Sequence, residues 1–232
     1  MRQLFFVLSF SVFSLTAFAQ KFEAGITLGT SAYNGDLDVN ARNVWSSLRI
    51  GGGLVGKYRL TNSLVLRGHL ILASLTADEK NHPTAWRQER GFAFKTQTTE
   101  LAFVLEKDFW HIGKATAFAF GGLGGTYFKP ATDYNEPNPR FIKDDINPDA
   151  NASYSRVTPT LPLGLGLRFP LPFDLNLSLE AGYRKVFTDY LDGISQLGNP
   201  DKKDAYFFGG ATLTKSFGKR TGASGSENCP RF

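Results

Sequence analysis

The sequence predicts an all-β chain, an eight-stranded antiparallel transmembrane outer-membrane β-barrel, on three observations. Segments of about 9 to 11 residues alternate apolar and polar side chains with a period of two, the repeat of a strand whose two faces meet different surroundings. The connections between these segments alternate long, short, long, short, long, short, long, which is the asymmetry of outer-membrane barrels. After residue 20 no stretch approaches the roughly 18 consecutive apolar residues of a membrane helix, so a membrane would have to be crossed by strands.

The chain opens with a different signal. Arg2, an apolar run from Leu4 to Leu15 and the small-x-small triplet Ala17-Phe18-Ala19 mark residues 1–19 as a secretory signal peptide, leaving 20–217 for the barrel and 218–232 as a flexible periplasmic tail. No cysteine follows the cleavage site, which argues against a lipoprotein anchor. Cys229 is the single cysteine, so no disulfide can form within the chain. Removing the leader takes only Arg2 from the 26 Lys and Arg that stand against 21 Asp and Glu, a modest excess that gives no reason to expect a nucleic-acid partner.

Taken in order, Lys21 to Tyr33 sets Phe22, Ala24, Ile26 and Leu28 against Glu23, Gly25, Thr27 and Gly29, and leads to a long polar loop, Asn34 to Ser46. A second strand, Ser47 to Leu60, turns tightly through Thr61-Asn62-Ser63 into a third, whose Leu64, Leu66, Leu70 and Leu72 oppose Arg67 and His69. Ala73 to Arg90 reads as the second long loop. Gly91 to Lys107 is the fourth strand, Asp108 to Gly113 a short turn and Lys114 to Lys129 the glycine-rich fifth strand, followed by the longest loop, Pro130 to Ser155. The sixth strand, Arg156 to Phe169, alternates Leu161, Leu163, Leu165 and Leu167 with Pro162, Gly164, Gly166 and Arg168; its prolines predict a bulge or a local edge. A turn over Pro170 to Asp174 leads to the seventh strand, the loop Asp189 to Asp204 and the eighth strand, Ala205 to Phe217.

An amphipathic sheet can turn either face outward. A secreted soluble barrel or sandwich would bury the leucines. An outer-membrane barrel exposes them to lipid and keeps polar residues in the lumen, with both termini periplasmic. Aromatics near the strand ends favour the second, as two interfacial girdles: Phe22, Tyr58, Phe109, Trp110, Phe173 and Phe217 at the short turns, and Tyr33, Trp45, Tyr127, Phe187, Tyr190 and Tyr206 at the long loops. The lumen then inherits Arg49, Lys57, Arg59, Arg67, His69, Glu100, Glu106, Arg168, Glu180 and Arg184. Eight strands leave an interior that side chains fill, so these charges are expected to form a paired structural plug centred on Glu100 and Glu180, with Glu180 and Arg184 as an ion pair.

Catalysis and metal binding find little support. A hydrolase or acyltransferase needs a nucleophile and a histidine base held together near the membrane surface. The available histidines are His69 in a strand, His82 in a long loop and His111 at a short turn, and only Ser74 with His82 offers even a conjectural pair. Asp36, Asp38, Asp189 and Asp192 bring carboxylates to neighbouring loops without the spacing of a calcium loop. No cofactor or metal is expected.

Several strings nevertheless belong together: SAYNGDLD, FAFGGLGGTYFKP, YSRVTPTLPLGLGLRF, GYRKVFTDYLDGIS and the terminal NCPRF. They resemble the PorG-like family of Bacteroidota outer-membrane β-barrels, most specifically over Tyr183, Arg184, Lys185, Thr188, Asp189, Tyr190 and Asp192. The resemblance implies a barrel associated with the type IX secretion system, where the family's namesake contacts the periplasmic ring built from PorK and PorN. It implies no catalytic residue. On that reading the chain is a non-enzymatic anchor or accessory subunit embedded in outer-membrane lipid, and Trp110, His111, Cys229 and Pro230 are candidate contacts to the periplasmic partner. A receptor or adhesin-like barrel using its long outer loops is the alternative.

Overall fold

The computed structural model describes residues 22–35, 47–78, 85, 88, 93–133, 153–193, 195 and 203–217. The expected signal peptide, the tail with Cys229 and Pro230, and Asp36, Asp38, Trp45 and His82 lie outside the described residues. Within them the chain folds into eight strands: β1 (Phe22–Asn34), β2 (Arg49–Arg59), β3 (Leu64–Asp78), β4 (Ala93–Ile112), β5 (Ala115–Asp133), β6 (Val157–Pro170), β7 (Leu175–Val186) and β8 (Ala205–Phe217). Each pairs antiparallel with its sequence neighbour, and β1 pairs with β8 from Phe22↔Phe217 to Asn34↔Ala205, closing the barrel. Closure leaves no sheet edge, which is what a strand protein needs where no water can satisfy backbone groups.

The strands are longer on one side of the barrel than the sequence suggests. β3 runs on to Asp78, where Ala73 to Asp78 was expected to begin a loop, and β4 and β5 reach 20 and 19 residues. The expected turn Asp108 to Gly113 shrinks to Gly113-Lys114. The reason is that the alternation changes sense above Leu72: Ala73, Leu75 and Ala77 are buried in the lumen, while Ser74, Thr76 and Asp78 face outward. A search for outward leucines stops there, although the strand period continues.

Two irregularities shape the wall. The β5–β6 ladder is interrupted between the pairs Gly121↔Leu163 and Gly124↔Thr160, opposite Pro162, which has no N–H to donate. Register is kept across the gap, so of the bulge or local edge expected in β6 the structure has the local edge, a short break in the ladder. A bulge occurs instead in β4, where the register shifts between Asp108 and Trp110. The extra residue, Phe109, lets both Phe109 and Trp110 stay exposed at the short-turn end while Asp108 points inward.

Outward, the middle of the barrel presents Ile26, Leu28, Leu54, Leu70, Leu101, Phe103, Leu123, Leu163, Leu165, Leu179 and Leu213, all exposed. A continuous exposed apolar belt is the inverse of a soluble core and is explained by contact with lipid. Inward, the alternating glycines of β6 and β7 have a steric purpose. A Cβ on Gly166 would lie 2.4 Å from the Phe118 ring, and one on Gly164 would lie 2.4 Å from both the Phe120 ring and the Ala181 carbonyl oxygen. The LPLGLGL string thus alternates lipid-facing leucines with space for two lumen phenylalanines. Gly164→Val should destabilise the barrel by about 1–3 kcal/mol or prevent folding, seen as a lower urea midpoint in lipid vesicles or loss of the heat-modifiable band on a gel.

Candidate functional site

The lumen at the short-turn end is a connected ionic network. Arg168 donates from Nη1 to both carboxylate oxygens of Asp108, at 3.1 and 3.2 Å, and from Nη2 to Glu106. Arg59, at the rim, lies 3.8 Å from both Glu23 and Asp108. Above them Glu106, fully buried, also receives Lys57 at 3.0 Å and Arg67 at 3.1 Å. Arg67 in turn donates to Glu180 at 2.5 Å, and Glu180 accepts from the Thr212 hydroxyl at 3.3 Å. The next layer is built on Glu100, which accepts from His69 Nε2 at 2.7 Å and from the Tyr206 hydroxyl at 2.6 Å and lies 3.8 Å from Arg184 Nε.

Two aromatic rings complete this filling. Phe118 lies between Lys57 and Arg168, whose charged groups are 5.7 and 4.8 Å from its centroid, and Phe120 sits 4.4 Å from the Arg67 guanidinium. The quadrupole of an aromatic face attracts cations, and at desolvated sites such contacts contribute on the order of 2 kcal/mol. Lys57, Arg59, Arg67, Arg168 and Arg184 face Glu23, Glu100, Glu106, Asp108 and Glu180, so the formal charges of the network cancel. A low-dielectric interior tolerates ions only when they are paired in this way.

The long-loop end is closed differently, by apolar packing under a folded loop. Leu75, Ala77, Phe94, Phe128 and Val186 line the mouth, and Leu191 from the segment after β7 inserts among them with Tyr33 and Tyr206. Thr96 on β4 donates to the Leu191 carbonyl at 2.6 Å, and Gly193 turns the chain with φ 81°, a conformation glycine adopts without steric cost. Tyr154 stacks 4.2 Å from Tyr190 with rings within 8° of parallel, and 6.2 Å from Phe128. The stretch Thr188 to Asp192 is therefore a plug across the mouth.

The expected site residues divide accordingly. Arg67, Glu100, Arg168, Glu180 and Arg184 meet in the lumen, whereas Arg49 shares their face of β2 but is exposed at its outer end, its Nη1 donating to the Leu48 carbonyl at 2.9 Å. Glu180 and Arg184 do not pair with each other. Four residues along a strand separate them by about 13 Å, so Glu180 bonds Arg67, and Arg184 donates to the Gly182 and Phe208 carbonyls, each at 3.0 Å. The hub is Glu106 rather than Glu100 and Glu180, because three cations converge on it. Of the expected long-loop girdle, Tyr127 and Phe187 face outward, but Tyr33, Tyr190 and Tyr206 turn into the mouth. Tyr183 packs outward on Phe207 at 5.3 Å and Lys185 is exposed, while Asp189 and Asp192 are buried in the plug. Trp110 and His111 are exposed on the last residues of β4. Glu23, Asp108, Phe118 and Phe120 were not singled out by sequence; Glu23 shares the face of Thr27 and could have been placed by parity. Among the described residues no cluster of His, Cys, Asp and Glu has the arrangement of a metal site.

Residues 2–224 match the family described as Domain of unknown function (DUF6089). The chain belongs to that family. No curated protein matches it. Among solved structures, this DUF6089 chain is similar to neisserial surface protein A, with 11% identity over 84% of this chain and 97% of that one and a TM-score of 0.50. It is also similar to a major outer-membrane protein of Thermus thermophilus, with 14% identity, coverage of 84% and 98% and a TM-score of 0.45. A third likeness is to Ail, the attachment invasion locus protein of Yersinia pestis, with 16% identity, coverage of 84% and 99% and a TM-score of 0.41. What the likeness to neisserial surface protein A shows is the fold, a closed eight-stranded antiparallel β-barrel.

Glu106→Ala should be the costliest carboxylate change in the lumen, about 3–5 kcal/mol, since it takes a shared carboxylate from three cations and, among the described residues, leaves Lys57 with no carboxylate in contact while Arg67 keeps Glu180 and Arg168 keeps Asp108. Glu180→Ala should cost less, because Arg67 keeps Glu106. Urea unfolding of the refolded barrel in lipid vesicles gives the comparison.

Proposed function

We propose that the chain is a non-enzymatic outer-membrane barrel that works as a sealed membrane anchor, and that it serves as an accessory subunit of the type IX protein secretion system. The observation that carries the first half is the lumen itself: a charge-balanced network around Glu106 at one end and an apolar plug around Leu191 at the other fill the space a solute would need. A barrel whose lumen is filled and whose outer surface is committed to lipid offers function mainly through its ends. Among the described residues no histidine stands with a nucleophile: His69 is engaged with Glu100 in the lumen, and His111 is exposed at the far end from Ser74.

The second half is supported by the likeness of GYRKVFTDYLDGIS and the other strings to the PorG-like family. In this reading the chain resides in a Bacteroidota outer membrane with both termini periplasmic, so that the short-turn end faces the periplasm and a ring component of the PorK/PorN type. There the β4–β5 hairpin offers exposed Trp110, His111 and Ile112 beyond the last β3 pairing, at Lys107. Such aromatic and apolar residues on a rigid hairpin suit a protein contact.

Affinity isolation of the tagged full-length protein from its native membrane tests both parts. Ring components should accompany the wild type and fall about tenfold or more on combining Trp110→Ala with Ile112→Ser, while the barrel still folds, as expected for the loss of an anchor residue at an interface. Undiminished recovery would remove the hairpin from the contact; absence of ring components from the wild-type isolate would remove the secretion reading altogether.

A further inference from the structure

The outer wall changes character at one level on three neighbouring strands. On β4 the outward residues run Leu105, Phe103 and Leu101, and then Thr99, Gln97 and Lys95. On β5 they pass from Leu123 through Gly125 to Tyr127 and Lys129, and on β3 from Leu70 and Leu72 to Ser74 and Thr76. The register sets these changes side by side. Leu70↔Leu101↔Gly125 is the last wholly non-polar row, and Leu72↔Thr99↔Tyr127, Ser74↔Gln97↔Lys129 and Thr76↔Lys95↔Ala131 follow it toward the long loops. A polar panel therefore stands on the lipid belt where β3, β4 and β5 outrun their neighbours.

The panel is rich in hydrogen-bond donors and positively charged. Lys95, Gln97 and Lys129 are exposed, and neither lysine is in an ion pair among the described residues. Lys95 and Lys129 occupy diagonal cross-strand positions, about 7–8 Å apart at the wall, a span that two flexible four-carbon side chains can close onto one small anion. Gln97 lies directly opposite Lys129 and carries two amide N–H donors, and Thr99 and Tyr127 carry hydroxyls on the row below. Thr76 spends its proton on the Phe94 carbonyl at 2.7 Å. Arg156, exposed and accepting the Phe128 N–H on its carbonyl at 2.9 Å, brings a third cation to the β6 side of Lys129. Asp78 and Asp133 come only two residues further from the belt, each paired with Ala93, so no carboxylate lies between the lysines and the apolar wall.

A lipid presents its charge and its acyl chains in the same order as this wall presents its cations and its leucines. We propose that the outward face of β3 to β5 binds the phosphate of an anionic lipid headgroup, held between Lys95 and Lys129 with Gln97 donating, while the acyl chains lie along Leu101 and Leu123. Gly125 makes room for them directly beneath Tyr127, since a Cβ there would have no atom within 4 Å. Continuity with the belt is what selects a lipid over a dissolved phosphate. A lipid already packed on the leucines brings its headgroup to the depth of the lysines and gives up little further freedom, whereas a free anion must be captured by the exposed cations alone. The inference needs the barrel to stand in lipid and is independent of any secretion partner.

The test titrates fluorescently labelled phosphatidylglycerol into the full chain in a neutral maltoside detergent, with phosphatidylcholine of the same chains and label as the reference. The wild type should prefer phosphatidylglycerol by about tenfold or more, and Lys95→Gln combined with Lys129→Gln should abolish the preference, the scale expected of two cations at an anionic lipid surface. Lys114→Gln combined with Lys215→Gln removes the same charge from exposed lysines toward the short-turn end and should leave the preference within about twofold. Inorganic phosphate at the lipid's concentration should not displace it. Folding is checked by heat-modifiable gel mobility; where a double variant does not fold, the single substitutions serve, each expected to give an intermediate loss. Absence of a preference in the wild type, equal loss in both sets of variants, or displacement by inorganic phosphate overturns the proposal.

Discussion

Glu106 stands where Lys57, Arg67 and Arg168 converge, and the rest of the barrel is arranged around the need to keep that convergence neutral. Eight strands close on an interior that only side chains can fill. An outer wall committed to lipid cannot also receive charges, since a Lys or Arg near the bilayer midplane costs about 2–4 kcal/mol. Polar residues that a soluble protein would place on its surface therefore collect in the lumen, where each must find a partner of opposite sign or a carbonyl. The pairing runs from Asp108 and Glu23 at one rim to Glu100 beneath the mouth, with members drawn from β1, β2, β3, β4, β6 and β7 and no two adjacent partners on the same strand.

Size complementarity follows from the same constraint. Phe118 and Phe120 enter the lumen because Gly164, Gly166 and Gly182 give up side-chain volume opposite them, and the rings then shield cations that have only part of their donors engaged. The mouth uses a different solution. There β3, β4 and β5 continue above the lipid belt with apolar residues turned inward, and the segment after β7 lies across them. One end is sealed by charge pairing built into strands, the other by a loop held to β1 through Tyr33.

Strand number, order and facing were legible because the period of two is absolute: once Leu177 and Leu179 face lipid, Ser178 and Glu180 must face the lumen. Pairing within the lumen was not legible. Side chains that meet there come from different strands, and which ones share a level depends on the stagger of the closed barrel, which no local pattern encodes. Glu180 and Arg184 look like partners in sequence, yet they sit at different levels of one strand and bond Arg67 and Phe208 instead. Tyr33 and Tyr206 misled for a related reason. An aromatic near a strand end suits an interfacial girdle, but their parity is that of the lumen, and the mouth they occupy exists only because β3 to β5 outrun their neighbours. Asp108 keeps the parity of Glu106 and was missed because the fourth strand was expected to end at Lys107, with Asp108 in the turn; the Phe109 bulge changes the parity only after it.

The central claim is that a neutral network around Glu106 fills the barrel and denies passage to ions. Single-channel recording of the refolded protein in a planar bilayer tests it most directly. The wild type should show no discrete conductance above the bare membrane at neutral pH, and Glu106→Ala combined with Arg168→Ala should produce small, resolvable openings as the lumen hydrates. Steady, well-defined openings of the wild type at neutral pH would contradict the account.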